Sequence, residues 1–248
     1  ILFTAPTAFR AIKRSDPIGK FIKKYDTSSL KTLFLAGERA DSDTINWASN
    51  KLKVPVIDHW WQTETGFPMV GCPQGLNSPP LKIGTAGFAM PGYDVKVLDE
   101  GSRTSETNEL GSIVVKLPLP PGTLPTLWNA DDRFKQSYLS RFPGYYDTGD
   151  AGFIDSDGYI SIMARTDDVI NTAGHRLSTG AMEEVLSEHS DIAECAVIGV
   201  NDDLKGQLPL GFICLNAGVN RNHEEIIAES ISLVRDKIGP VASFKMAV

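Results

Sequence analysis

Cysteine is scarce. The 248 residues hold three, Cys72, Cys195 and Cys214, far apart and with no CxxC pair. That excludes a disulfide framework and argues against a zinc site; reduced thiols in a cytosolic-type compartment are the better reading. No apolar run approaches the ~20 residues a membrane-crossing helix needs. Basic charge is also short: 24 Lys and Arg against 31 Asp and Glu leave a formal net charge of −7. A nucleic-acid groove is therefore disfavoured as the main business, although local basic spots stay open. Internal repeats and low-complexity tracts are missing. What remains is ordinary globular material, 42% hydrophobic and 22% charged, which suffices for a packed core. The chain starts on an apolar ILFTAP without methionine and stops at FKMAV within a hydrophobic pattern. A piece of a longer protein is expected.

The pattern along the chain changes character. Residues 31–36 (KTLFLA) read as a buried strand ending at Gly37 and Glu38. Residues 43–52 have helical spacing with Ile45 and Ala48 on one side, and 54–58 form another short apolar strand. Strand, helix, strand with short links predicts a parallel βαβ unit. Ligands bind beyond the carboxyl ends of such strands, so Gly37 and Glu38 are expected to flank one crevice with residues 58–66. From about residue 84, YDVKVLD and LGSIVVK alternate as an antiparallel sheet does. Residues 118–125 are proline-rich and irregular. Residues 153–162 suggest a hairpin turning at Asp157 and Gly158. Further on, 178–188 reads as a helix, 195–200 and 210–215 as strands, and 223–238 as a helix with Ile227, Ile231, Val234 and Ile238 on one face. A domain boundary is expected near 166–168.

Three runs carry chemistry. DHWWQTETG (58–66) sets two indoles beside one carboxylate. Tryptophans at a core edge with a solvated turn would explain it as readily as a pocket. In the functional reading Trp61 walls an apolar pocket, Thr63 offers a hydroxyl to phosphate and Glu64 a hard oxygen to Mg²⁺. YYDTGD (145–150) reads alone as a turn, or as a carboxylate poised for a ribose diol. RTDDVINTAGHR (165–176) reads alone as a solvated loop before a helix cap.

Their order resembles the acyl-adenylate-forming superfamily: GER, DHWWQTETG, YDTGD and RTDDVINTAGHRLST follow one another as they do there. Within it the chain is similar to short-chain acyl-CoA synthetases, the acetyl-CoA and propionyl-CoA synthetase group. TAPTAFRAI, WWQTETG, GHRLST, KGQ (205–207) and IGPVASF (238–244) carry that likeness, and PLPPG (118–122) leans it toward the propionate-activating, mitochondrial-type branch. The resemblance implies an α/β fold with an antiparallel β part, namely the C-terminal portion of a large domain (1–166) and a truncated, mobile, small α+β domain (167–248). It implies a ligase that uses ATP, Mg²⁺ and CoA to turn a short carboxylate into acyl-AMP and then acyl-CoA, in the mitochondrial matrix or the cytoplasm. Small molecules would be its partners, with no nucleic acid and no membrane.

Residue by residue, the resemblance places Gly37, Glu38 and Arg39 at the adenine. Asp58, His59, Trp60, Trp61, Gln62 and Thr63 would form the nucleotide and acyl wall. Thr63 would meet the α-phosphate, Glu64 the magnesium, Asp150 and Arg165 the ribose, and Arg176 the phosphate, which suits a planar guanidinium. Asp167 matches the interdomain hinge, Ala173 and Gly174 the pantetheine tunnel, and Arg235 the CoA nucleotide. Ala36 stands where acetate-selective members have valine, which predicts an acyl pocket with room for propionate above Trp61. The usual GEP is GER here, so Arg39 replaces a proline. GR before the hinge is Ala164 and Arg165, and AEIE becomes GAMEE (180–184). The family's upstream phosphate loop and its downstream lysine-bearing PKTRSGK segment lie outside these residues, so the chain by itself is expected to be inactive. Two rivals are a carrier-loading adenylation domain, which the double tryptophan disfavours, and a nucleotide-binding fragment without catalysis.

Overall fold

The structure is a computed structural model, and it describes residues 1–76 and 79–248. The elements begin β1 (Leu2–Thr4), α1 (Pro6–Ser15), β2 (Leu33–Leu35), α2 (Ser42–Leu52), β3 (Val56–Asp58), β4 (Val70–Gly71) and β5 (Phe88–Ala89). They continue β6 (Val95–Leu98), β7 (Gly111–Lys116), α3 (Asp131–Tyr138), β8 (Tyr145–Ile154) and β9 (Ile160–Arg165). The last are β10 (Ile170–Thr172), β11 (His175–Leu177), α4 (Thr179–Ser187), β12 (Ile192–Asp202), β13 (Gly206–Leu215), α5 (His223–Lys237) and β14 (Met246–Ala247).

The chain divides into two compact units. One comprises Ile1–Pro6, Ser28–Ala40 and Val54–Ile162; the other Thr7–Thr27, Asp41–Lys53 and Met163–Val248. In the first, β1, β2 and β3 pair in parallel, with Leu35 opposite both Thr4 and Asp58. Parallel pairing is what the strand–helix–strand spacing predicts; the central β2 is a hydrophobic triplet, and β3 buries Val56 and Ile57 before ending on Asp58. The alternating runs fall in a sheet of order β6-β7-β8-β9, with β6–β7 and β7–β8 antiparallel. Val95, Val97, Ile113, Val115 and Tyr146 supply its core together with Met69 and Val70.

Two motif regions depart from their simplest readings. YYDTGD is strand, not turn: it opens β8, and the register slips between Ile113 and Val114, which face Asp150 and Asp147. Thr148 and Gly149 are therefore bulged, and Gly149 has φ 67°. A bulge re-aims the side chains beside it, which a composition of turn formers does not reveal. RTDDVINTAGHR is not a solvated loop. It folds into the hairpin β10–β11 around Ala173 and Gly174, whose φ values of 49° and 84° suit a tight two-residue turn.

In the second unit β11-β10-β13-β12 make an antiparallel sheet, with β14 beside β13. Ser178 caps α4 by accepting from Ala181 N, and Asn222 caps α5 by accepting from Glu224 N. Val234 is fully buried, Ile227, Ile231 and Ile238 pack against the same core, and Ile226 is buried too. Among sequence expectations, α1 and α3 were not foreseen. The first is short and the second has a single buried residue, Phe134, so neither prints a long apolar stripe.

Candidate active site

Two loops leave neighbouring parallel strand ends. Gly37, Glu38 and Arg39 follow β2; His59 to Glu64 follow β3. His59 N donates to Leu35 O at 3.1 Å, which ties the two exits together. Ala36 is 4% exposed, so its methyl group is enclosed. Gly37 has φ 100°, and a Cβ built there meets nothing within 4 Å, so its backbone faces open space.

Asp58 ends β3. Burial pushes its carboxyl up to about 8, partly offset by the His59 and Ala40 backbone N–H groups and by the Arg39 guanidinium. Arg39, where the family has proline, thus acts electrostatically on Asp58. The His59 ring lies 5.4 Å from that of Phe3 and 5.6 Å from that of Phe34. Its Nδ1 is buried without a hydrogen-bond partner, and burial lowers its pKa, so the ring is a neutral one.

Beyond this, a chain of hydrogen bonds and one ring stack joins two carboxylates distant in sequence. Asp150 Oδ2 accepts from Trp60 Nε1 at 3.2 Å and from Gln62 Nε2 at 2.8 Å. Gln62 Nε2 also donates to Thr148 O at 2.7 Å, and Gln62 Oε1 accepts from the Tyr146 hydroxyl at 2.9 Å. The Tyr146 ring stacks on Tyr138 with centroids 5.4 Å apart and planes 8° apart. Tyr138 OH then donates to Glu64 Oε1 at 2.9 Å. Burial, then the nearby Glu64 charge, pushes the Tyr146 hydroxyl upward, so it stays a neutral donor. The Glu64 carbonyl accepts from Leu124 N at 2.7 Å, which fastens the proline-rich run to the TETG loop. Trp61 is 38% exposed and Thr63 is exposed as well. They face outward, while Trp60 and Gln62 hold Asp150.

Tyr138 and Tyr146 were missed in the sequence. Tyr146 stood in plain sight beside YDTGD, but its partner Gln62 is 84 positions away. Tyr138 sits at the end of a helix without a motif.

The second unit holds the other candidates. Arg165 Nε lies 3.9 Å from Asp167 Oδ1, an exposed and weak pair. Arg176 is half-buried on β11, opposite Asn171. Ala173 and Gly174 form the hairpin turn next to it. Arg235 stands exposed in the last turn of α5, a separate element. Among the described residues no group of three His, Cys, Asp or Glu could hold a metal by itself.

A family model described as AMP-binding enzyme matches residues 1–122, and one described as AMP-binding enzyme C-terminal domain matches 181–248. The chain is 50% identical over 248 residues to the human acyl-CoA synthetase short-chain family member 3, mitochondrial, covering 100% of this chain and 36% of that protein. It is 51% identical over 247 residues to an uncharacterized protein of Pseudomonas aeruginosa, covering 100% of this chain and 39% of that protein. It is 48% identical over 214 residues to the propionate–CoA ligase of Escherichia coli K12, covering 86% of this chain and 34% of that protein. It thus spans little more than a third of the length of these relatives. In fold it is similar to an anthranilate CoA ligase solved with anthranoyl-AMP, at TM-score 0.84 and 23% identity over 99% of this chain and 45% of that one. A benzoate CoA ligase from Burkholderia xenovorans gives 0.82 and 20% over 99% and 46%. With large-domain and C-terminal family patterns matched in order, and the fold shared, the chain belongs to the AMP-binding enzyme family.

Proposed function

We propose that the enzyme carrying this segment activates a short-chain carboxylate, propionate before acetate, to acyl-AMP and then to acyl-CoA. The observation that carries the reading is the continuous Trp60–Gln62–Tyr146–Tyr138 chain that holds Asp150 and Glu64 in one arrangement. The names of the relatives, short-chain acyl-CoA synthetases and a propionate–CoA ligase, support the substrate class.

In the first half-reaction a carboxylate oxygen bonds to the α-phosphorus of ATP and the bond to the β-phosphate oxygen breaks, releasing pyrophosphate. Asp150, which accepts from Trp60 and Gln62, would accept from the ribose diol. Arg176 would face the α-phosphate and Thr63 would offer it a hydroxyl. Glu64 fits a magnesium ion: one hard carboxylate, pinned on Oε1, is the protein share such an ion takes when substrate phosphates supply other ligands. When bound there, the ion neutralises phosphate charge. In the second half-reaction the CoA thiol sulfur bonds to the acyl carbon and AMP leaves. We place the pivot between the half-reactions at Asp167, dividing 1–166 from 167–248, with Ala173 and Gly174 along the pantetheine path and Arg235 at the CoA nucleotide. Relatives named mitochondrial favour the mitochondrial matrix, although bacterial relatives match equally well.

The test is kcat/KM for acetate, propionate, butyrate and hexanoate in the complete enzyme. One methylene filling an apolar pocket is worth roughly 10–200-fold, so propionate should exceed acetate within that range. Ala36→Val should move preference toward acetate, and Trp61→Gly should admit longer chains. A wild-type preference for acetate, or no shift in Ala36→Val, would remove Ala36 from the acyl pocket.

A further inference from the structure

KGQ and IGPVASF found no role in the chemistry above, yet they meet at one place. The β12–β13 hairpin tip lies along β10, with Gly206 paired to Thr172. Three successive residues leading into the Ala173–Gly174 turn are bonded by this tip. Asn171 N donates to Gln207 Oε1 at 3.0 Å, Thr172 Oγ1 to Gln207 O at 2.8 Å, and Ala173 N to Lys205 O at 2.8 Å. Gly206, at φ 82°, allows the approach: a Cβ there would stand 3.3 Å from Asn171 O. The tip is itself fixed, because Lys205 N donates to Asp202 Oδ1 at 2.8 Å and Lys205 Nζ to Ser243 Oγ at 3.1 Å. Beyond the bonded residues, Gly174 projects into open space, its built Cβ meeting nothing within 4 Å.

We propose that Gln207 is a positioning residue for the thiol-bearing substrate. It sets the height and tilt of the Ala173–Gly174 turn, along which the amide-bearing arm of that substrate passes. Gln207 bonds β10 through its own side chain, and its amide oxygen replaces a backbone acceptor that a regular ladder would supply at Asn171. The inference rests on the CoA-ligase reading above.

The experiment compares Gln207→Met, of similar size but without the acceptor, with Gln207→Glu, which keeps an oxygen there. Pyrophosphate exchange reports adenylation; KM and kcat for CoA report thioester formation; thermal melting reports the fold. Gln207→Met should leave exchange and melting near wild type while kcat/KM for CoA falls about tenfold, the scale of one lost hydrogen bond. Gln207→Glu should restore CoA kinetics. Unchanged CoA kinetics in Gln207→Met, an equal fall in exchange, or a Glu variant as defective as Met would each overturn the proposal. If Gln207→Met does not fold, Gln207→Glu decides alone, since it must then show wild-type CoA kinetics. Wild type that forms acyl-AMP but no acyl-CoA would overturn the CoA-ligase reading itself.

Discussion

Glu64 has one carboxylate oxygen committed to the Tyr138 hydroxyl, and that hydroxyl rides on a ring stacked against Tyr146. Glu64→Gln keeps the shape and removes the charge. Pyrophosphate exchange should be abolished while the circular dichroism spectrum stays native; an unchanged exchange rate would end the assignment. Tyr138→Phe keeps the stack and removes only the donor. A hydrogen bond to a charged group is worth about 1.5–3 kcal/mol, and Glu64 is half-exposed, so the lower end applies: about tenfold in exchange. The Mg²⁺ concentration for half-maximal exchange, and for half-maximal ATP binding by calorimetry, should rise. Asp58 carries a pH dependence. Its folded pKa of about 8 lies above the ordinary value of 3.8. The stability it contributes is therefore present below the unfolded value and is lost as pH rises through about 8. Asp58→Asn, neutral at every pH, should raise the melting temperature relative to wild type more at pH 8.5 than at pH 5. Parallel melting curves across that range would show that Asp58 titrates normally.

Elements decide how these residues are aimed. The bulge at Thr148 and Gly149 lets Asp147 and Asp150 face successive β7 residues across a break in register. The turn after β9 closes when Asp168 N donates to Arg165 O at 3.1 Å, which makes Thr166 and Asp167 its central residues. Proline suits the first central position and is disfavoured at the second. Asp167→Pro fixes φ at the second central position. If the pivot lies at Asp167, this variant should keep pyrophosphate exchange and lose acyl-CoA formation. Equal slowing of both half-reactions would place the pivot elsewhere.

At the scale of the whole molecule, each unit has a core of its own. Leu186 is fully buried among Ile170, Met182, Ile192, Val197 and Val234. Leu186→Ala should cost about 2–5 kcal/mol, read as lowered hydrogen-exchange protection in β12, β13 and α5; unchanged protection there would show that this core tolerates the cavity. Much of this organisation was legible in the chain. KTLFLA and the 54–58 run announced parallel strands because strands buried on both faces are continuous in apolar residues. The 223–238 pattern announced α5 because one face repeats every three or four residues. The order of the motifs announced the family. The sequence by itself therefore determined the parallel strands, the alternating sheet, α2, α4 and α5, and which chemistry to look for, but not α1, α3 or the β10–β11 hairpin. Only the tertiary structure decided that Tyr138 holds Glu64, that Tyr146 and Gln62 carry the link on to Asp150, and that Gln207 braces the Ala173–Gly174 turn. Those bonds span 74, 84, 88 and 36 positions. Local periodicity reports which side of an element is apolar; it carries no information on which distant polar group meets it once the strands have paired.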